Sequence, residues 1–383
     1  MSLNNIMRVT RRFSISKRKI AKEYSKIRYK LNIVYSLFCI AILVIFLISG
    51  ASSGLKNIIS SYIEKNWLIT TIYFSLVLIL FEIIVLPTNF HVGFLIEHKF
   101  KLSNQSITAW ILENIKKTIV SLIIGLIFIH IIYYFLENYE SIWWIYTSII
   151  FILLGILFSH LVPILLIPIF YKLIPLENEV LKNKLLNLCK SINMQVKNVY
   201  KINLSKDTKK ANAGLSGIGN TRCIILSDTL LEKFSLEEIE VIFSHELGHH
   251  YYKHIWKLIG IEIILTFFCL YFVDISLNYF GPLFNIIKIS NIANLPLLAL
   301  SFFIISFLFM PLKNTFSRTL EREADKFALN ATQNPSSFIS GMINIGDQNL
   351  SEIKTHLLIE TYFYSHPPII KRLKMGYSYF KTE

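Results

Sequence analysis

Charge is what this sequence has least of. Only 17% of its 383 residues are charged, while 53% are hydrophobic, against roughly a quarter charged in an ordinary soluble domain. With a mean hydropathy of +0.51, the chain is neither disordered nor a collagen-like fibre, and 14 glycines and 10 prolines are too few for the latter. Cysteine is also scarce. Cys39 and Cys269 lie inside apolar stretches, and Cys189 and Cys223 stand apart without CxxC spacing, so no disulfide framework or zinc–thiolate site is indicated. A phosphate-binding loop is missing too: the glycine-rich stretch 211–219 is not followed by GK[ST], and no GxGxxG occurs.

Long apolar runs fill the space that charge leaves. A helix needs about 20 mostly apolar residues to cross a bilayer, and six stretches meet that length, near 31–49, 67–86, 118–136, 142–170, 255–276 and 294–312. The first is too long for a signal-peptide core and reads as a retained anchor. The net charge of +14 is concentrated ahead of it. Residues 1–30 carry ten basic side chains (Arg8, Arg11, Arg12, Lys17, Arg18, Lys19, Lys22, Lys26, Arg28 and Lys30) against Glu23 alone, which leaves +5 for the rest. Such a block flanking an apolar helix marks the cytoplasmic side. No nucleic-acid-binding motif accompanies it, and no nucleic-acid partner is expected. With this end inside, 50–66 and Glu137–Ser141 fall outside, and the lysine-bearing segments 87–117, 171–254 and 313–383 fall inside.

Between about 172 and 254 the texture is that of a soluble domain. Residues 177–193 read as an amphipathic helix, followed by strands near 196–204, 211–218 and 222–227. The uncharged, glycine-rich 211–219 suits a flexible hairpin or an exposed edge strand. Polar residues within the apolar runs (Glu82, His130, His160, Glu262 and Asp274) are expected to make helix–helix hydrogen bonds or to line an internal chamber.

The chemistry concentrates in Ser244-His245-Glu246-Leu247-Gly248-His249-His250. Two histidines four apart on a helix share one face and can bind one zinc ion. Glu246, one residue on, can reach a water on that zinc as general base. Ser235 and Glu238 form a capping box that starts this helix. A catalytic zinc usually takes three protein ligands. His254 lies five residues beyond His249 instead of six, and Tyr252 stands where the metzincin pattern needs glycine, so that pattern fails. Glu321 and Asp325, one helical turn apart, form the other candidate. Glu321 could complete a His2Glu site, and Asp325 could accept a hydrogen bond from a ligating imidazole. The plainer alternative for this segment is a surface helix with i,i+4 charge pairing.

HELGH, the ExxAD of Glu321 to Asp325 and the C-terminal Ser365-His366-Pro367-Pro368 with Arg372 together resemble the type 1 CAAX prenyl endopeptidases, which are intramembrane-chambered zinc metalloproteases. The likeness extends to Leu86-Pro87, Phe94-Leu-Ile-Glu97, Asn104, Pro168-Ile-Phe170, Pro175-Leu176-Glu177, Asn212-Ala213 and Ile224 to Leu230. It implies an α-helical multi-pass membrane protein with a small α+β zinc peptidase domain of gluzincin type. It implies one zinc on His245, His249 and Glu321, with Glu246 as base and Asp325 behind a ligand. His366 and Arg372 match positions that face substrate and oxyanion, and Asn212 and Ala213 match a strand that pairs with extended substrate. The family usually begins with one more membrane helix, outside, and carries an aromatic-glycine pair where this chain has Phe100-Lys-Leu-Ser103.

The expected division is a basic cytoplasmic segment 1–30, a four-span region 31–171 and a peptidase region 172–383 that includes two further spans. The expected protein is an integral membrane zinc metalloendopeptidase acting on peptide or protein substrates, lipidated or not. It sits among membrane lipids with its site on the cytoplasmic side, in a bacterial inner membrane in preference to endoplasmic reticulum. The alternatives are a quality-control metalloprotease of the heat-shock type and a non-catalytic membrane protein with a structural zinc.

Overall fold

Inside hydrocarbon a single segment can satisfy its own N–H and C=O groups only as a helix. A computed structural model of the chain, which describes residues 15–161, 167–216 and 222–380, follows that rule. The first part comprises helices α1 (Ile15–Ile48), α2 (Ala51–Tyr62), α3 (Asn66–Phe90), α4 (Ile107–Asn138) and α5 (Trp143–Leu161). A small mixed layer follows, with β1 (Leu173–Pro175), α6 (Glu179–Ser191), β2 (Asn198–Ile202), β3 (Ala213–Ser216), β4 (Cys223–Ser227) and α7 (Asp228–Lys233). Helices α8 (Leu236–Tyr251), α9 (His254–Phe280), α10 (Leu295–Thr332), α11 (Pro335–Gln348), α12 (Leu357–Phe363) and α13 (Ile369–Tyr379) complete the chain.

Five of the six apolar stretches lie in helices long and apolar enough to cross a membrane, namely α1, α3, α4, α9 and α10. In the sixth stretch, 142–170, the described residues Trp143–Leu161 and Ile167–Phe170 are helical, and Trp143–Phe158 forms a shorter apolar helix. Residues 162–166 and the side chain of His160 lie outside the described residues. The described part of the basic N-terminal segment runs directly into the first span. Helix α1 is unbroken from Ile15 to Ile48, because it contains no glycine or proline and lysine and arginine are good helix formers. Arg8, Arg11 and Arg12 lie outside the described residues.

Three of the polar residues in the apolar runs find partners on neighbouring helices. Trp143 Nε1 donates to Asp274 at 2.6 Å, Thr71 Oγ1 meets His130 Nε2 at 2.9 Å, and Lys313 pairs with Glu262. Such bonds remove the cost of bare polar groups in an apolar setting.

The sheet has the order β1-β2-β4-β3, with β2 and β4 parallel and the outer pairs antiparallel. Val199, Ile224 and Leu226 form one core with Leu181, Leu185 and Cys189, which repeat every fourth residue along α6. Asn178 starts that helix by accepting the Leu181 N–H at 3.0 Å. Strand β1 was absent from the sequence reading, since three residues ending in Pro175 show no alternation. The glycine-rich segment supplies the edge strand β3, the first arm of an antiparallel pair with β4. Its continuation, 217–221, lies outside the described residues.

Glu97, just beyond α3, ties the membrane part to this layer. It accepts from Tyr24 of α1 at 2.5 Å and pairs with Lys210, just ahead of β3, at 3.0 Å. Asn104 N–H reaches the Asp207 carbonyl at 3.0 Å, and its side chain reaches the Ser205 carbonyl at 2.9 Å.

Candidate metal centre

The site is built where α8 crosses α10. The capping box forms as expected, with the Ser235 hydroxyl accepting from the Glu238 N–H at 3.2 Å and the Glu238 carboxylate from the Ser235 N–H at 3.1 Å. That fixes the first turn of α8 and brings His245 and His249 to the face toward α10. Gly248 makes the approach possible: a Cβ there would lie 3.0 Å from Phe327 Cβ and 3.1 Å from Ala324 Cα. Both neighbours belong to α10 and flank Asp325 and Glu321.

His245, His249 and Glu321 bring one potential ligand atom each to within 4.8 Å of one another. Nε2 of His245 lies 3.2 Å from Nε2 of His249 and 3.2 Å from Oε2 of Glu321. Nε2 of His249 lies 3.4 Å from Oε1 of Glu321. Although His245 is close, its angle makes no hydrogen bond to Oε2, and that buried oxygen has no hydrogen-bond partner. An orphaned carboxylate oxygen facing two imidazole nitrogens is costly without a cation. Two nitrogens and one carboxylate oxygen fit a borderline-soft divalent metal such as zinc.

Behind the convergence point Asp325 is fully buried. It meets His245 Nδ1 at 2.9 Å and takes a bidentate pair from Arg372, Nε to Oδ2 at 2.8 Å and Nη2 to Oδ1 at 2.5 Å. Burial alone would lower the His245 pKa, but the hydrogen bond to Asp325, the close Glu321 carboxylate and the Asp325 charge outweigh it and lift it to about 9. Burial works against the Arg372 charge as well, and the Asp325 carboxylate more than restores it. His250, on the far side of α8, is pushed down to about 4 by burial first and then by the Arg222 and His249 charges.

Other candidates converge on one cleft of about 480 Å³ that opens over the centre. His245, Glu246, Glu321, His366, Arg372, Asn212 and Ala213 all line it, whereas His249 and Asp325 lie behind it. His366 Nδ1 stands 2.9 Å from Glu321 Oε1 with its side chain 64% exposed, so the rest of the ring faces the opening. Ala213 begins β3, which pairs on one side with β4, and Asn212 immediately precedes it. The Asn212 N–H donates to Ser227 Oγ at 2.9 Å, and its carbonyl accepts the Ser227 N–H at 3.0 Å.

Sequence reasoning missed several residues that shape this site. Arg318, one turn before Glu321 and buried, donates from Nη1 to the carbonyls of Glu360 and Tyr364, both at 2.7 Å. It thereby clamps the segment that ends in His366. The i−3 spacing from Glu321 was its available signal. Tyr29 of α1 enters the cleft and bonds Tyr364 through the two hydroxyls, a contact across the chain that no local pattern announces.

Two family models together cover most of the chain. Residues 175–375 match the model of peptidase family M48, and residues 8–172 match that of the CAAX prenyl protease N-terminal region with its five membrane helices. The chain is 25% identical over 359 residues to the uncharacterized metalloprotease YhfN of Bacillus subtilis, covering 93% of this chain and 84% of that protein. It is 29% identical over 300 residues to the probable CAAX prenyl protease 1 of Schizosaccharomyces pombe, covering 76% and 62% respectively. The crystal structure of S. mikatae Ste24p shares the fold, with a TM-score of 0.83 and 21% identity over 94% of this chain and 89% of that one. Membrane helices, a donor set suited to a metal and two family models that adjoin along the chain thus lead to one conclusion: the chain belongs to peptidase family M48, among the CAAX prenyl endopeptidases, and is an integral multi-pass membrane metalloendopeptidase.

Proposed function

We propose that His245, His249 and Glu321 hold one zinc ion, that Glu246 is the general base, and that the enzyme cuts extended peptides laid along β3. The observation that carries this reading is the orphaned Oε2 of Glu321 among two imidazole nitrogens. Zinc bound there supplies Lewis acidity, which polarises a scissile carbonyl and acidifies a nearby water. Glu246 takes the proton from the attacking water and delivers it to the leaving amine. Asp325 accepts the Nδ1–H of His245, which leaves the Nε2 lone pair for the metal. Arg372 uses Nε and Nη2 on Asp325 and so keeps that carboxylate ionised and aligned. This supports His366, with its exposed ring over the cleft, as the donor to the developing oxyanion, a role typically worth about 3 kcal/mol.

The free edge of β3 offers main-chain hydrogen bonds that demand no particular sequence. Leu230, Ile242, Met342 and Ile345 give the cleft an aliphatic lining, which suits apolar side chains beside the cut. Names of relatives such as the Schizosaccharomyces pombe protein suggest a prenylated CAAX tail. The sequence-tolerant edge suggests the second reading, cleavage of unlipidated segments in membrane-protein quality control. We place residues 172–383 in the peptidase region, the site on the cytoplasmic side and the protein in a bacterial inner membrane. YhfN, a bacterial protein matched over most of both chains, supports the last point.

Detergent-purified protein, incubated with matched prenylated and unprenylated peptide pools and read by mass spectrometry, tests the reading. Chelator-sensitive cleavage is expected, and Glu246→Gln is expected to keep its zinc while losing about 10²- to 10⁴-fold in rate. Cleavage by Glu246→Gln at the native rate would remove Glu246 from its role. A preference for one pool decides between the two substrate classes.

A further inference from the structure

We infer that His254 and Glu323 are positioning residues that hold His249 on the metal as Asp325 holds His245, an inference that rests on the ligand reading proposed above. A histidine that gives Nε2 to a metal keeps its proton on Nδ1, and that N–H needs an acceptor. For His245 the acceptor is Asp325. For His249 it is Nδ1 of His254, 2.9 Å away. His254 can accept at Nδ1 only with its own proton on Nε2, and that atom lies 2.9 Å from Oε2 of Glu323. The three groups therefore form a directional chain in which every N–H points toward the carboxylate. Its last tautomer is set by Glu323, and its first leaves the lone pair of His249 Nε2 free.

The way the fold delivers His254 argues against an incidental contact. Helix α8 ends beyond the HELGH turn, and Lys253 takes a left-handed conformation (φ 54°, ψ 39°) before α9 begins at His254. That conformation is disfavoured for a side chain other than glycine, asparagine or aspartate. The imidazole so delivered is 1% exposed and is stacked on Tyr252 with centroids 5.7 Å apart. Glu323 stands between Glu321 and Asp325 in sequence, on the flank of α10 against which α9 packs. One helix would thus supply three carboxylates, two of them to the histidines' outer nitrogens. The simpler alternative is a surface ion pair, since Glu323 is partly exposed and also meets Lys257 at 3.1 Å. A surface pair would leave metal affinity untouched.

The test is zinc affinity of the full-length, detergent-solubilised protein, measured by competition with a chelating dye, together with the visible spectrum of the Co2+-loaded form. His254→Phe keeps the ring but not the acceptor, and a 10- to 100-fold weaker zinc affinity and a changed cobalt spectrum are expected. His254→Gln returns an amide oxygen to the same place and should recover much of the loss. Glu323→Ala should weaken zinc about threefold to tenfold, and Lys257→Ala should leave it unchanged. Native affinity in a folded His254→Phe protein overturns the inference. If that variant does not fold, native affinity in Glu323→Ala overturns it, because that carboxylate is not buried. Should His249→Ala bind zinc as tightly as the native protein, the ligand reading itself fails, and the inference falls with it.

Discussion

At His245 a proton and a metal compete for the same site. Its neighbours hold the metal-free imidazole protonated up to a pKa of about 9, although burial opposes the charge. Zinc must displace that proton at any lower pH, so the sign is fixed: affinity rises as pH rises and levels off near 9. Below that value each pH unit weakens binding by roughly tenfold, since one proton is released per zinc bound at this residue. Equilibrium dialysis against buffered zinc at several pH values between about 6 and 9 is expected to give that slope. Asp325→Asn removes the carboxylate charge and should flatten it. A slope near zero in the native protein would mean that His245 is not exchanging a proton for the metal. The same acidic surroundings that raise the pKa also strengthen the imidazole as a ligand once the proton has gone, so affinity near pH 9 should be correspondingly high.

The contact of α8 with α10 depends on one missing side chain. A Cβ on Gly248 would press on Phe327 Cβ and on the Ala324 backbone at 3.0 and 3.1 Å, and neither atom can rotate away. Gly248→Ala is therefore expected to push the helices apart by a few tenths of an ångström. A cost of about 1–3 kcal/mol in stability is typical of overpacking. The displacement carries Glu321 away from the two histidines, so zinc affinity should fall together with the thermal midpoint of the solubilised protein. A drop in midpoint with unchanged zinc affinity would show that the crossing is stabilising but not what sets the ligand distance.

This crossing also marks what the sequence made legible. HELGH, the capping box at Ser235 and the turn from Glu321 to Asp325 are local patterns, and each declares its own helix face. The apolar runs declared five of the long helices for the same reason. Arg318, Tyr29 and the pairing of His254 with Glu323 were not legible, because their partners lie 42, 335 and 69 residues away and only the packing brings them together.

On the scale of the whole molecule, the membrane part and the part that carries the candidate metal centre share continuous helices. Helix α10 runs 38 residues from Leu295 to Thr332, about 57 Å at 1.5 Å per residue, so a span and the third candidate ligand belong to one rod. Helix α1 does the same from the other end. Its basic half packs beside the cleft, with Lys17 3.5 Å from Asp347 of α11 and Arg28 3.7 Å from Glu97, and its apolar half continues into the spans. The candidate metal centre therefore lies on the side that carries the excess of lysine and arginine, which the topology proposed above makes cytoplasmic. Single cysteines at exposed positions, in a background with Cys39, Cys189, Cys223 and Cys269 replaced, make this measurable with a membrane-impermeant maleimide. Ser61→Cys in the last turn of α2 and Glu140→Cys between α4 and α5 should label in intact cells. Asn183→Cys on α6 should label only after permeabilisation. The reverse pattern would turn the molecule over and put the peptidase outside, where the basic half of α1 would face the wrong leaflet.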